Sequence, residues 1–132
     1  MPKDPLTEPI NAVWRADRAV DDDAWIKQML HTAPVGSTAT IHDGQPFINT
    51  NLFVYDEDRD CIYIHTARKG RTRSNIEHPA QPPAVAFSIM EMGRMLPADE
   101  ALEFSVEYAG VVVFGTAEVI VDTDDNGNEA TD

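Results

Sequence analysis

Residues Val35 to Tyr55 read "VGSTATIHDGQPFINTNLFVY". Alternation with a period of two runs through "VGSTATI" (Val35 to Ile41) and again through "PFINTNLFVY" (Pro46 to Tyr55). Between them "HDGQ" places a glycine where a tight antiparallel turn needs one, so the stretch predicts a β-hairpin. Downstream, the polar turn "DEDRD" leads into a third strand, "CIYIHT" (Cys61 to Thr66), followed by "PAVAFSIM" (Pro83 to Met90) and "EFSVEYAGVVVFGTAEVIV" (Glu103 to Val121). Upstream, "DDDAWIKQMLHTAP" predicts a helix with Asp21 as N-cap and Asp22 and Asp23 at the positive end of its dipole. Trp25, Ile26, Met29 and Leu30 form its apolar stripe, and Pro34 ends it. Residues 1–20, with three prolines, read as an arm, residues 21–121 as the folded domain, and residues 122–132 as an acidic, disordered tail. Five or six closely spaced strands with one or two helices predict a mainly β (α+β) chain, a barrel or sandwich carrying added helices.

The chain has 132 residues, enough for one domain with a real core. Its formal net charge of −13 argues against a nucleic-acid or anionic-membrane partner. The acidic bias suits a high-salt cytoplasm, where self-repulsion is screened, and equally an ordinary acidic protein. No apolar run is long enough to span a bilayer, and "MPKDPLTEPI" has no signal-peptide core. A single cysteine, Cys61, fits a reducing compartment, so a cytoplasmic protein is expected.

Two stretches carry candidate chemistry. In the strand Pro46 to Tyr55, Ile48, Thr50, Leu52 and Val54 share one face, which reads as barrel core. The other face alternates aromatics with carboxamides: Phe47, Asn49, Asn51, Phe53 and Tyr55. A flat heterocycle edged with donors and acceptors would use both residue types, and a polar subunit contact is the alternative. The second stretch is "HTARKGRTRSN" (His65 to Asn75). Four of the chain's ten Lys and Arg, namely Arg68, Lys69, Arg71 and Arg73, surround Gly70 there. A strand, a glycine loop and the start of a helix present N–H groups to an anion, and Arg71, Arg73 or Arg68 would clamp a phosphate. Thr66, Thr72 and Ser74 add hydroxyls. A basic surface loop offsetting nearby acids is the alternative. The Walker spacing is absent. His31, His42, His65 and His78 lack the spacing of a zinc motif, so no metal is expected. No nucleophile or general acid–base set stands out.

The segments "PFINTNLFVYD", "CIYIHTARKGRTRSNIEH", "AVAFSI" and "EYAGVVVFGTAEVIVD" resemble the pyridoxamine 5′-phosphate oxidase-like FMN-binding split barrels, in particular the nitroimidazole-resistance-type branch. The similarity runs from about Trp14 to Asp122. It implies a split β-barrel with an N-terminal helix and a short helix after the third strand. It also implies a homodimer with two FMN sites at the subunit interface. Carried onto this chain, the phosphate and ribityl contacts fall on His65, Thr66, Ala67, Arg68, Lys69, Gly70, Arg71, Thr72 and Arg73, with Arg71 and Thr72 foremost. Phe47, Asn49, Thr50 and Asn51 would lie along the isoalloxazine ring.

Two departures from that family bear on these expectations. Thr72 stands where the branch often has lysine, leaving the charge to Arg71 and Arg73. Family members commonly continue past the position of Val121 with a helix and a final strand, so an open sheet edge is expected here. The resemblance implies an FMN-dependent oxidoreductase acting on a small organic acceptor through flavin N5. The alternatives are a non-catalytic flavin-binding, storage or sensing protein, or a split barrel that takes deazaflavin or haem. A second phosphate-binding set is missing, because Lys3, Arg15, Arg18, Lys27, Arg59 and Arg94 are scattered. Oxidation of pyridoxamine phosphate itself is therefore not expected.

Overall fold

The computed structural model describes residues 4–13, 17, 19–77, 81–96 and 105–120. Helix α1 spans Asp23–Thr32, starting one residue later than expected. Asp22, not Asp21, is the N-cap, and its carboxylate accepts from the N–H groups of Ala24 and Trp25 at 3.0 and 3.3 Å. A cap of this kind contributes about 1 kcal/mol. Met29 and Leu30 are buried, with Trp25 and Ile26 packed beside them, so the expected apolar stripe is the one that docks.

Five antiparallel strands follow: β1 (Val35–His42), β2 (Gln45–Asp56), β3 (Cys61–Ile64), β4 (Ala84–Leu96) and β5 (Ser105–Thr116). Their order in the sheet is β3-β2-β1-β4-β5, and the sheet curls into a half-barrel of the split-barrel type. Helix α2 (Arg71–Glu77) lies between β3 and β4 in sequence. The β1–β2 hairpin turns on Asp43 and Gly44, with φ of 49° and 75° between the paired residues His42 and Gln45. Positive φ at both central residues is the two-residue hairpin geometry that the Asp-Gly sequence favours. Among the described residues, strands β3 and β5 are the edges of the sheet; the segment after Val121, on which the expected open edge depends, lies outside them. The described part of the N-terminal arm holds local turns, from Thr7 N–H to the Asp4 carbonyl and from Ala12 N–H to the Pro9 carbonyl. Residues 122–132, expected as a disordered tail, lie outside the described residues.

The core is formed by Met29, Leu30, Phe87, Ile89 and Val111. Phe87 lies across Gly36, where an added Cβ would stand 2.0 Å from the ring's Cζ. Phe53 meets Phe87 edge-on, with centroids 4.9 Å apart and planes at 72°. The Gly36 site thus lets one aromatic ring lie directly on the backbone of β1.

This packing corrects the expected faces of β2. Ile48, Leu52 and Val54, expected in the core, are 66, 74 and 64% exposed. The carboxamide-bearing face turns inward instead. The β1–β2 register explains why: Gly36 pairs with Asn51, Thr38 with Asn49 and Thr40 with Phe47. Gly36, Thr38 and Thr40 are the buried positions of β1, so their partners share the inner face. Hydrophobicity alone would have chosen the other face, but the ring of Phe87 occupies the space that the missing side chain of Gly36 leaves.

Candidate functional site

After Ile64 the chain leaves the sheet, and residues 65–70 carry no regular structure before α2 begins at Arg71. The Gly70 carbonyl accepts from Ser74 N–H at 3.0 Å, which makes Gly70 the residue that opens the helix. Strand, loop and helix therefore follow in the expected order.

Between this loop and β2 is a cavity of about 150 Å³. Phe47 and Asn49 of β2 form one wall; Thr66, Ala67, Gly70, Arg71, Thr72 and Arg73 form the other. The two stretches singled out in the sequence, about twenty residues apart along the chain, thus face each other across one space. Arg71 is exposed, whereas Thr72 is buried. Arg73 Nε donates to Glu77 Oε2 at 3.0 Å, so part of that guanidinium is held by a carboxylate one turn away.

The remaining expected residues are placed differently. Asn51 is on the inner face, and its Nδ2 donates to the His65 carbonyl at 3.3 Å, tying β2 to the start of the loop. Thr50 stands on the outer face, where its hydroxyl lies 2.7 Å from that of Ser37. His65, Arg68 and Lys69 are exposed and do not line the small cavity. His65 and Arg68 instead border a larger cavity of about 1320 Å³, which lies inside the half-barrel and is lined by residues of both edge strands. Thr66 and Arg73 border both.

The lining of the larger cavity also includes a polar cluster around Glu57 and Tyr55. Glu57 faces Lys27 Nζ at 3.8 Å and His31 Nε2 at 3.5 Å. The Tyr55 hydroxyl donates to Asp60 at 3.4 Å and its ring stacks at a tilt on His31. Burial, then the Asp60 carboxylate, pushes the Tyr55 phenol above its ordinary value. The Tyr63 hydroxyl, hydrogen-bonded to Arg59, raises the Arg59 guanidinium. These shifts reinforce ordinary charge states and prepare neither group for proton transfer near neutral pH. Among the described residues, no group of three or more His, Cys, Asp and Glu is arranged to hold a metal ion.

Two residues of the site were not singled out by sequence reasoning. Asn75 Nδ2 donates to Thr40 Oγ1 at 2.9 Å, and both residues are only 4% exposed. The available signal was an amide on the inward side of a short helix, together with a threonine opposite Phe47.

What the arrangement offers chemically is anion binding. The cations around Gly70 are of the type that donates charge-assisted hydrogen bonds to an anion, and Phe47 and Asn49 set an aromatic ring and an amide beside them. Among the described residues, no helix is long and apolar enough to cross a membrane.

No curated protein sequence matches the chain significantly. Several solved structures share its fold, two of them described by what they bind or carry. The flavocytochrome Anf3 from Azotobacter vinelandii has 24% identity and a TM-score of 0.62, covering 76% of this chain and 44% of that one. The FAD and heme binding protein from Mycobacterium smegmatis has 23% identity and a TM-score of 0.65, covering 76% and 47%. The chain spans less than half the length of either. The family described as pyridoxamine 5′-phosphate oxidase matches residues 22–131, nearly all of the sequence. The chain belongs to that family.

Proposed function

We propose that this protein binds FMN, with the phosphate held at the loop from Thr66 to Arg73 and the ring directed along Phe47 and Asn49. The observation that carries this reading is the cavity between the basic loop and the amide-bearing face of β2. Its volume of about 150 Å³ suits a phosphate and the start of a chain, not a whole flavin. The ring therefore needs a further wall. We assign that wall to a second copy of the chain, approaching the open side of the cavity; the exposed apolar residues on the outer face of the sheet are a separate surface that such a copy would also cover. Val35, Leu52, Ile48, Met90, Val112 and Phe114 share that face and are all exposed, with the polar row Thr50, Ser37 and Ser88 running between them. Exposed apolar side chains gathered on one face suit an interaction site.

In this reading Arg71 and Arg73 bind the phosphate, and Thr72 and Thr66 donate hydroxyls to it. Phe47 and Asn49 orient the ring, and Asn51 holds the loop through His65. Bound flavin supplies hydride or electron transfer. The protein is then a cytoplasmic oxidoreductase of the nitroimidazole-resistance type acting on a small organic acceptor, with residues 21–121 as the FMN-binding unit. The runner-up is haem in the larger cavity, favoured by its size and by His65 on its lining. The haem-binding structural neighbour and the flavocytochrome are consistent with it.

The test is the absorption spectrum of the purified protein, followed by titration of the ligand-free chain with FMN and with haem. The two-banded flavin spectrum and saturable FMN binding are expected. A sharp Soret band with no FMN binding would favour haem, and a colourless protein that binds neither would overturn both readings.

A further inference from the structure

Helix α2 has seven residues, too few to be stable alone, so its position is set by what tethers it. Its inward side carries Thr72 and Asn75, the two buried residues of the helix. A position so enclosed is ordinarily filled by an apolar side chain, because an amide costs desolvation unless it is bonded. Asn75 is bonded: its Nδ2 reaches Thr40 Oγ1 at 2.9 Å, across 35 residues of sequence. Thr40 is the register partner of Phe47 and is followed on the same face by Thr38, the partner of Asn49. The bond therefore joins the helix bearing Arg71 and Thr72 to the strand pair bearing Phe47 and Asn49. The other end of the basic loop has its own tether, from Asn51 Nδ2 to the His65 carbonyl.

We infer that the buried Asn75–Thr40 hydrogen bond is a latch that sets the spacing between the two walls of the small cavity, making Asn75 a positioning residue for the bound phosphate. The phosphate role rests on the FMN reading above; the latch itself does not. An apolar contact would hold α2 against β1 with freedom to slide. A single buried donor and acceptor fix one register, because a displaced amide would be left unsatisfied away from water.

The test uses the full chain with Thr40→Val, which removes the acceptor at similar shape, and Thr40→Ser, which keeps it. Asn75→Leu fills the same site without an amide and repeats the comparison from the other partner, should Thr40→Val prove too unstable. Two readouts are needed: amide hydrogen exchange of residues 70–75 without ligand, and the affinities for FMN and for riboflavin, which lacks the phosphate. Loss of the latch is expected to raise exchange there and to weaken FMN about tenfold, the scale of one buried hydrogen bond. Riboflavin affinity should change less than about twofold, and Thr40→Ser should behave as the parent protein. Unchanged exchange in Thr40→Val would overturn the latch. Equal weakening of FMN and riboflavin would overturn the positioning role. A parent protein that binds FMN no better than riboflavin would sink the phosphate reading instead. Exchange alone would then decide the latch, with faster exchange supporting it and no change overturning it.

Discussion

On the inner face of the sheet, Thr38 and Thr40 are buried and Asn49 and Asn51 half-buried; on the outer face, Ile48, Leu52, Val54, Met90 and Val112 are exposed. Strands β1 and β2 thus turn polar groups inward, while apolar side chains of β2, β4 and β5 face water. The inner face can do so because its polar groups are paired: Asn75 with Thr40, Asn51 with the His65 carbonyl. Among the described residues, no buried side-chain nitrogen or oxygen lacks a partner. The apolar side chains of the outer face, among the described residues, remain exposed. Two different demands account for the contrast. The inner face is built around Phe87 and the candidate cofactor cavity, and in the proposed reading a second copy covers the outer face.

That contrast can be broken from either side. The largest effect is expected from Phe87→Ala, which removes the ring that spans Gly36 and meets Phe53. Denaturant unfolding should show a loss of about 3–5 kcal/mol, as for other buried aromatic truncations. A loss below about 1 kcal/mol would mean that the inner face is not the core. Next comes Leu52→Asp on the outer face, which should raise the dissociation constant of the proposed dimer by about a hundredfold, or roughly 2.7 kcal/mol. Sedimentation velocity would measure this, and the variant should keep its fold. An unchanged dimer would move the interface elsewhere.

Gly36→Ala sharpens the comparison by forcing a methyl group into the Phe87 ring. Overpacking of this kind is expected to cost about 1–3 kcal/mol, and combining it with Phe87→Leu should recover part of that. The smallest effect concerns Tyr55. Because burial raises its folded-state pKa above the unfolded value of about 10, the folded protein holds that proton to higher pH. Its contribution to stability is therefore complete below about pH 10 and is lost as pH rises through the folded value. Tyr55→Phe should flatten the alkaline fall in melting temperature; an identical fall in both proteins would contradict this.

Much of the fold was legible because it rests on local signals. The Asp43–Gly44 hairpin, the Pro34 stop and the apolar stripe of α1 each require one residue type in one place. The faces of β2 were not legible, since both of its faces carry apolar residues and only the partner strand settles which turns inward. That decision lies in Gly36 and Phe87, some fifty residues apart in sequence. The site was half legible. The charge around Gly70 and the amides of β2 point to an anion bearing a ring, and their juxtaposition follows from that reading. The placement of Thr50 on the outer face follows from the same register that inverted the core. Asn75 went unseen because a lone amide in a two-turn helix resembles a surface residue until its partner, Thr40, is known.

The central claim is that the loop around Gly70 binds the phosphate of a flavin. Titration of ligand-free protein with FMN, comparing the parent chain with Arg71→Ala, tests it most directly. The account predicts saturable binding to the parent and a loss of about 1.5–3 kcal/mol in the variant, the scale of a charge-assisted hydrogen bond. Equal affinity in the two proteins would place the phosphate elsewhere, and no binding to the parent chain would contradict the flavin assignment itself.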